Sequence, residues 1–257
     1  MNVKEMFDLS GKVAIVTGGG RGIGLKISEG LAEAGASIVL CSRKLENCQG
    51  TAKEISKKGV KALPLQCDVK SPRDIQSVVE ATLKEFNRLD ILVNNSGVSW
   101  GAPPEEYPLE GWQKVMETNM TGVFLFSQIA GRVMIRQKNG NIINIASIMG
   151  VIGMESDAAD AIAYSASKGA LIAFTKDLAA KWAKHNIRVN AIAPGWFPTD
   201  MSEWILERHG KKLLSHIPMG RFGEGDELKG ATVYFASEAS RYVTGAILPV
   251  DGGYLSI

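Results

Sequence analysis

The chain has 257 residues, 45% hydrophobic and 22% charged, a balance that suits a globular protein with a large core and excludes a disordered one. Lys and Arg total 29 against 27 Asp and Glu, a formal net charge of +2, so overall charge makes no case for nucleic acid or an acidic partner. The three Cys form no CxxC pair, which points to a reducing compartment. No signal-peptide pattern opens the chain and no run approaches ~18 apolar residues, so the expectation is a cytoplasmic protein that does not enter a membrane.

The first strand is predicted over Lys12 to Thr17 ("KVAIVT"), and a helix over Ile23 to Ala34 is stopped by Gly35. Between them Gly18, Gly22 and Gly24 are spaced GxxxGxG. The first glycine permits a tight turn. The later ones let backbone approach a phosphate, and the helix N-terminus offers its unpaired N–H groups to the anion. The alternative is a glycine turn with no ligand, but a strand before and a helix after favour a dinucleotide. A P-loop needs Gly-Lys-Ser/Thr at this point, and Gly24 is followed by Leu25 and Lys26.

The second strand, Ser37 to Cys41, runs into "VLCSRK". A site for NAD carries an acid near this end to bond the ribose hydroxyls. Here Ser42 stands in that place, Arg43 follows, and Arg21 lies in the glycine loop. Two guanidiniums beside one ribose suit a 2′-phosphate, so NADP(H) is expected over NAD(H); the other reading is two solvated surface Arg.

A helix from Leu45 to Lys57 ends before Gly59, and a strand weakened by Pro64 spans Lys61 to Cys67. Ser71 and Pro72 then read as N-cap and first residue of a helix to Phe86. Next come a strand (Ile91 to Asn94), a helix (Gly111 to Arg136), a strand (Asn141 to Ser147), a helix (Ala163 to His185) and strands at Arg188 to Ala193 and Ala246 to Val250. The strands are rich in Val, Ile and Leu without strict alternation, as in parallel sheets buried on both faces. The prediction is an α/β chain: one Rossmann-like domain over 1–257, a doubly wound parallel β-sheet of about seven strands with helices on both faces.

Tyr164 and Lys168 lie four apart in the helical "YSASK" and so share a face. An ammonium beside a phenol stabilises the phenolate, and such a Tyr can give a proton to a carbonyl oxygen or take one from an alcohol. Ser147 ends a strand, at the carboxyl edge where ligands bind in open α/β sheets. The spacing alone is commonplace in helices; its position after a dinucleotide loop and behind that Ser gives it meaning.

"TGGGRGIG", "CDV" (Cys67 to Val69), "NNSG" (Asn94 to Gly97), "TNMTG" (Thr118 to Gly122), "NIAS", "YSASK", "PGWFPT" (Pro194 to Thr199) and "GAILPVDGGY" occur in this order. Over essentially its whole length the chain resembles the short-chain dehydrogenase/reductase family. The resemblance implies an NADPH-dependent carbonyl reductase or alcohol dehydrogenase with Tyr164 as general acid/base. Lys168 would lower its pKa and hold the nicotinamide ribose, Ser147 would orient the substrate carbonyl, and Asn119 would hold a water linking Lys168 to solvent. It implies dinucleotide contacts from the glycine loop, including Ile23, and from Asp68 and Val69 at the adenine. Asn95, Ser96 and Gly97 would line the adenosine-ribose side, with Ser96 standing where the family usually has Ala. Pro194, Gly195 and Thr199 would hold the carboxamide. Plainer roles exist: Asn119 bonding within its helix, Asp68 in a turn, Thr199 capping the next helix.

Residues 196–218 are expected to form a substrate lid, helical from Met201 to Ser215, with Trp196, Phe197, Trp204, Ile205 and Leu206 making it apolar and Trp100 facing the same cleft; these side chains either meet an acyl chain or ring or pack the lid on the body or a neighbouring subunit. Among relatives the chain most resembles bacterial 3-oxoacyl reductases, including those of rhamnolipid synthesis, which implies a 3-oxoacyl thioester substrate. Arg132, Arg136, Lys138, Arg208, Lys211 and Lys212 are candidates to meet an acidic carrier protein, or else solvated faces. The alternatives are a polyol or sugar-acid dehydrogenase of the gluconate 5-dehydrogenase type and a non-catalytic dinucleotide sensor. A metal site is not expected, since His185, His209 and His216 lack metal spacing, and there is no GxSxG elbow. The resemblance also implies a homotetramer built on the two long helices.

Family members usually place the Tyr about a dozen residues after the Ser, and here Ser147 and Tyr164 are 17 apart by their numbers. The surplus falls in an acidic insert at 154–160, with Glu155, Asp157 and Asp160. Two readings stand: a loop that narrows or charges the cleft, and a solvated loop in which Asp157 or Asp160 caps the next helix.

Overall fold

The computed structural model describes residues 1–155 and 160–257. Its elements in chain order are α1 (Val3–Met6), β1 (Val13–Thr17), α2 (Gly22–Glu33), β2 (Ser37–Ser42), α3 (Leu45–Ser56), β3 (Ala62–Gln66), α4 (Pro72–Phe86), β4 (Ile91–Asn94), α5 (Leu109–Met116), α6 (Gly122–Gln137), β5 (Gly140–Ile145), α7 (Ile162–Trp182), β6 (Ile187–Pro194), α8 (Glu203–Ser215), α9 (Glu227–Ala236) and β7 (Ile247–Val250). The strands form one parallel sheet in the order β3-β2-β1-β4-β5-β6-β7.

The expected α/β fold is therefore present. Successive strand residues feed opposite faces, so each strand has to be apolar throughout. Ala14, Val16, Ile38, Leu40, Ile91, Val93 and Ile143 join Ile27, Leu31 and Phe235 of α2 and α9 in one core layer. Val13, Ile15, Val39, Leu92 and Ile142 join Ile75, Phe126 and Met134 of α4 and α6 in the other. Pro64 is tolerated because β3 is an edge strand.

The chain winds outward from β1 to β3, then returns to place β4 on the other side of β1. That reversal opens a crevice at the carboxyl ends of β1 and β4, where ligands bind in such sheets. At that edge, from the last residue of β4, a buried polar chain ties the site's supports together. The Asn94 amide donates to Asn144 Oδ1 (2.9 Å) and Ser127 Oγ (3.1 Å), and Asn144 donates to Thr175 Oγ1 (2.9 Å). These bonds lock β4, β5, α6 and α7 in one register, and neutral amides satisfied on both sides carry no unpaired group into the core.

Four expectations are corrected. The helix foreseen at 111–136 is two helices joined by a π-turn at Glu117–Thr121, which holds Asn119. Helix α7 stops at Trp182, and the last turn, Ala183–His185, is a 3₁₀ turn. The N-cap of α7 is Ala161 with no side-chain cap, so Asp160 does not cap it; Asp157 lies outside the described residues. Helix α9 was not foreseen, because Gly230 and the run Thr232, Val233, Tyr234 weaken its signal; it is held by packing against α2, where a Cβ on Gly30 would stand 2.8 Å from Lys229 Cβ.

Candidate active site

A cavity of about 630 Å³ opens at the carboxyl edge of the sheet. One end is the glycine loop. Gly18 and Gly22 have φ of +64° and +53°, conformations that side chains disfavour. A Cβ on Gly24 would collide with the Gly18 carbonyl, and one on Gly20 would stand 2.7 Å from the backbone of Asn47. Helix α2 starts at Gly22 with no side-chain cap, so its first N–H groups stay available to an anion. Residues that sequence reading passed over fix the loop. Ser28 donates to Gly24 O (2.8 Å) and Thr51 to Gly20 O (3.2 Å), while Thr17 Oγ1 accepts from the Asn95 and Ser96 amides, both at 2.9 Å. The Asn95 side chain donates to Thr17 O and Gly18 O, so it clamps the loop.

Every residue expected to touch the dinucleotide lies in the wall of this cavity, from Gly18, Arg21, Ile23 and Arg43 to Pro194, Gly195 and Thr199. The wall also includes Lys44, Asn47, Thr118 and Asp200. Sequence reading did not single these out, since nothing marks them before the loops are placed. Ser42 stands at the end of β2 and donates to Lys44 O (2.7 Å). Arg43 carries no ion pair among the described residues, whereas Arg21 reaches across the cleft to Asp200 Oδ2 at 2.9 Å. The pairing of Arg21 and Arg43 on one phosphate is thus not preformed: Arg21 has to leave Asp200 first. Asp68 takes part in a turn, accepting from the Lys70 amide (3.0 Å) while in the cavity wall.

At the other end Ser147, Tyr164 and Lys168 converge. The 3₁₀ turn Ile148–Gly150 follows Ser147, and Gly150 packs so closely on α7 that a Cβ would stand 2.6 Å from the Lys168 carbonyl carbon. That contact holds the turn against α7, and Ser147 Oγ accepts from the Met149 amide (3.2 Å). Burial pushes the phenol above its ordinary range, and the hydrogen bond with Ser147 pulls it part of the way back. Lys168 is only 4% exposed, and burial brings its pKa down to about 8. Its Nζ donates to Ile145 O (2.6 Å) and lies 5.5 Å from the centre of the Tyr164 ring. Asn119 stands behind the wall. Its side chain accepts from the Val98 amide and donates to Val98 O and Ser167 Oγ, at 2.9, 2.9 and 3.0 Å. Both of its amide hydrogens are thereby engaged, and Oδ1 keeps one lone pair with which to accept.

A family model described as "Enoyl-(Acyl carrier protein) reductase" matches residues 18–255. A solved short-chain type dehydrogenase/reductase from Mycobacterium marinum is 39% identical over 98% of this chain and 99% of its own, with a TM-score of 0.94. The chain belongs to the short-chain dehydrogenase/reductase family. It is 40% identical to the "Rhamnolipids biosynthesis 3-oxoacyl-[acyl-carrier-protein] reductase" of Pseudomonas aeruginosa, over 96% of this chain and 98% of that one. It is 36% identical to a solved gluconate 5-dehydrogenase from Burkholderia cenocepacia in complex with NADP and tartrate, TM-score 0.94, over the full length of both chains. As a short-chain dehydrogenase/reductase it is a nicotinamide-dependent oxidoreductase acting on CH–OH groups. Its glycine cradle, the uncapped start of α2 and the Arg43 guanidinium fit a dinucleotide by shape and charge.

The substrate end is apolar. Met149, Ala161, Trp196, Phe197, Trp204 and Ile205 line it, and Ile148, Leu213 and Ile217 pack behind. Leu206 packs in the lid but is not in the wall. Trp100, expected in the cleft, instead packs under Gly111 with Lys114 Nζ 4.9 Å above its ring. Arg136 and Lys138 lie where α6 runs down to the start of β5, the edge opposite the cavity. Arg132, Arg208, Lys211 and Lys212 are also absent from the wall; Arg208 stacks on Trp204, and Lys212 pairs with Glu155 of the insert. Among the described residues no group of His, Cys, Asp and Glu could hold a metal, and no helix is long and apolar enough to cross a membrane.

Proposed function

We propose that this enzyme is an NADPH-dependent reductase of an uncharged keto substrate, a 3-oxoacyl thioester above all. The observation that carries this is the charge layout of the cavity. Among the described residues, the cations in its wall are Arg21, Arg43, Lys44 and Lys168. The first three flank the glycine loop and the end of β2, and Lys168 is committed to Ile145 O and Tyr164. Among the described residues no cation at the apolar end answers a sugar-acid carboxylate, and burying one unpaired is costly. The gluconate-type reading therefore loses to the acyl one. The names of both relatives describe carbonyl or alcohol chemistry, which favours a C=O target over the C=C bond in the family description.

The bound dinucleotide supplies the hydride. Tyr164, a phenol whose burial further favours its protonated form, donates its proton from Oη to the carbonyl oxygen. Ser147 Oγ bonds the same oxygen and orients it. The phenolate left on Tyr164 is stabilised by the Lys168 ammonium, strengthened by its dry surroundings. In the oxidative direction the phenolate takes the alcohol proton. Asn119 is a positioning residue that fixes Val98 against the π-turn and, through Ser167, the first turns of α7. Arg43, helped by Arg21 once Asp200 releases it, binds the 2′-phosphate, and no carboxylate at the end of β2 answers NAD(H). Residues 196–218 act as the lid, and 1–257 as one catalytic domain of a cytoplasmic enzyme. Exposed Leu109, Trp112, Phe124 and Ile162 on α5, α6 and α7 support assembly into a homotetramer, which light scattering after gel filtration tests; a monomer would refute it.

The deciding assay is NADPH oxidation with acetoacetyl-CoA, longer 3-oxoacyl thioesters and 5-ketogluconate. The proposal expects kcat/KM to be highest with the thioesters. Preference for 5-ketogluconate overturns the substrate assignment, and no turnover of any carbonyl leaves the sensor reading in its place.

A further inference from the structure

The cavity carries an acid at its anion-binding end. Among the described residues two carboxylates stand in the wall, Asp68 and Asp200. Asp68 is taken up in the turn after β3, where it accepts from the Lys70 amide. Asp200 instead reaches from the start of the lid to Arg21 in the glycine loop, with Oδ2 2.9 Å from the guanidinium. A carboxylate beside a phosphate-binding loop repels the ligand unless a cation answers it.

Local packing sets Arg21 between two anchors. The glycine before it, Gly20, lies so close to α3 that a Cβ would stand 2.7 Å from the Asn47 backbone. The glycine after it, Gly22, faces Thr199, whose Cγ2 would lie 3.8 Å from such a Cβ. Arg21 thus has the start of the lid on one side. On the other it has Ser42, Arg43, Lys44 and Asn47, which share the cavity wall. Arg43 and Lys44 carry no ion pair among the described residues, so of these three cations Arg21 alone already has an anion of its own.

We propose that Asp200 is a specificity-determining residue for the cofactor: it competes with the 2′-phosphate for Arg21 and so narrows the preference for NADPH over NADH. This rests on the NADPH reading above. A 2′-phosphate draws Arg21 off Asp200, and part of what the new charge-assisted contact contributes is offset by the pair it breaks. NADH has no such group and leaves the pair closed. Both side chains are exposed, 69% for Arg21 and 80% for Asp200. Exposed pairs hold by a factor of only about 2 to 5, so Asp200 yields Arg21 to a phosphate. A buried pair would have withheld it.

The test is fluorescence titration of NADPH and NADH against wild type, Asp200→Asn, Arg21→Ala and the double variant. Asp200→Asn should tighten NADPH by about 2- to 5-fold more than it tightens NADH. Repulsion between Asp200 and the pyrophosphate acts on both cofactors and cancels in that ratio. With Arg21→Ala in place, Asp200→Asn should move both cofactors by the same factor, because no competition is left. A preference for NADPH that Asp200→Asn leaves unchanged or lowers overturns the inference alone. So does a shift that survives Arg21→Ala, which would set Asp200 against the phosphate directly. A wild-type enzyme that binds NADH as tightly as NADPH would instead strike the NADPH reading.

Discussion

Lys168 should be a residue the enzyme would be more stable without. Its ammonium is buried, and among the described residues no carboxylate answers it and its one hydrogen bond is to Ile145 O. Burial lowers its pKa from 10.5 to about 8, so at pH 7 the fold holds a charged group it disfavours by about 3 kcal/mol. Lys168→Met keeps the length and removes the charge, at a cost of about 1–3 kcal/mol for orphaning the Ile145 carbonyl. The pH dependence separates the two effects, since the carbonyl cost does not titrate. The folded pKa lies below the unfolded one, so between the two the unfolded chain binds more protons and wild-type stability rises with pH. From pH 7 to pH 9.5 the wild-type enzyme should gain about 2 kcal/mol on the variant. Urea unfolding of both cofactor-free proteins, at equal concentration at the two pH values, measures this. A stability gap that stays constant with pH, or a wild-type protein that loses ground as pH rises, would refute the claim that Lys168 is held charged against its burial.

The remaining predictions concern turnover and cofactor. Tyr164→Phe should lower kcat by at least ~100-fold and leave the NADPH Kd within about 2-fold in a fluorescence titration; substantial residual turnover would remove Tyr164 as the proton donor. In the reductive direction kcat/KM should fall as pH rises through about 8 and Lys168 loses its proton, and a profile flat to pH 9.5 would contradict the role given to its charge. Arg43→Ala should weaken NADPH binding by about 10- to 100-fold with NADH changed by less than about 3-fold, and equal losses for both would show that Arg43 does not read the 2′-phosphate.

The fold was legible because each βαβ unit repeats the same signal: a run apolar on both faces, then a stripe at helical spacing. That signal fails where packing replaces it, as at α9, where Gly230 and β-branched residues mask a helix that α2 holds in place. The cofactor end was legible too, since glycines spaced for positive φ and close approach leave a direct mark in the residue order. What could not be read were relations across the cleft. That Asn95 clamps the glycine loop, or that Arg21 faces Asp200, depends on where separate loops meet. Neighbours in sequence also mislead. Trp100 lies close to the site residues Ser96 and Gly97 yet is drawn under Gly111, where a Cβ would stand 2.9 Å from its ring. Trp196, by contrast, was legible as an apolar lid residue, but the fate of its N–H was not: only packing shows that it is buried with no acceptor among the described residues, in the cluster that also holds Tyr164.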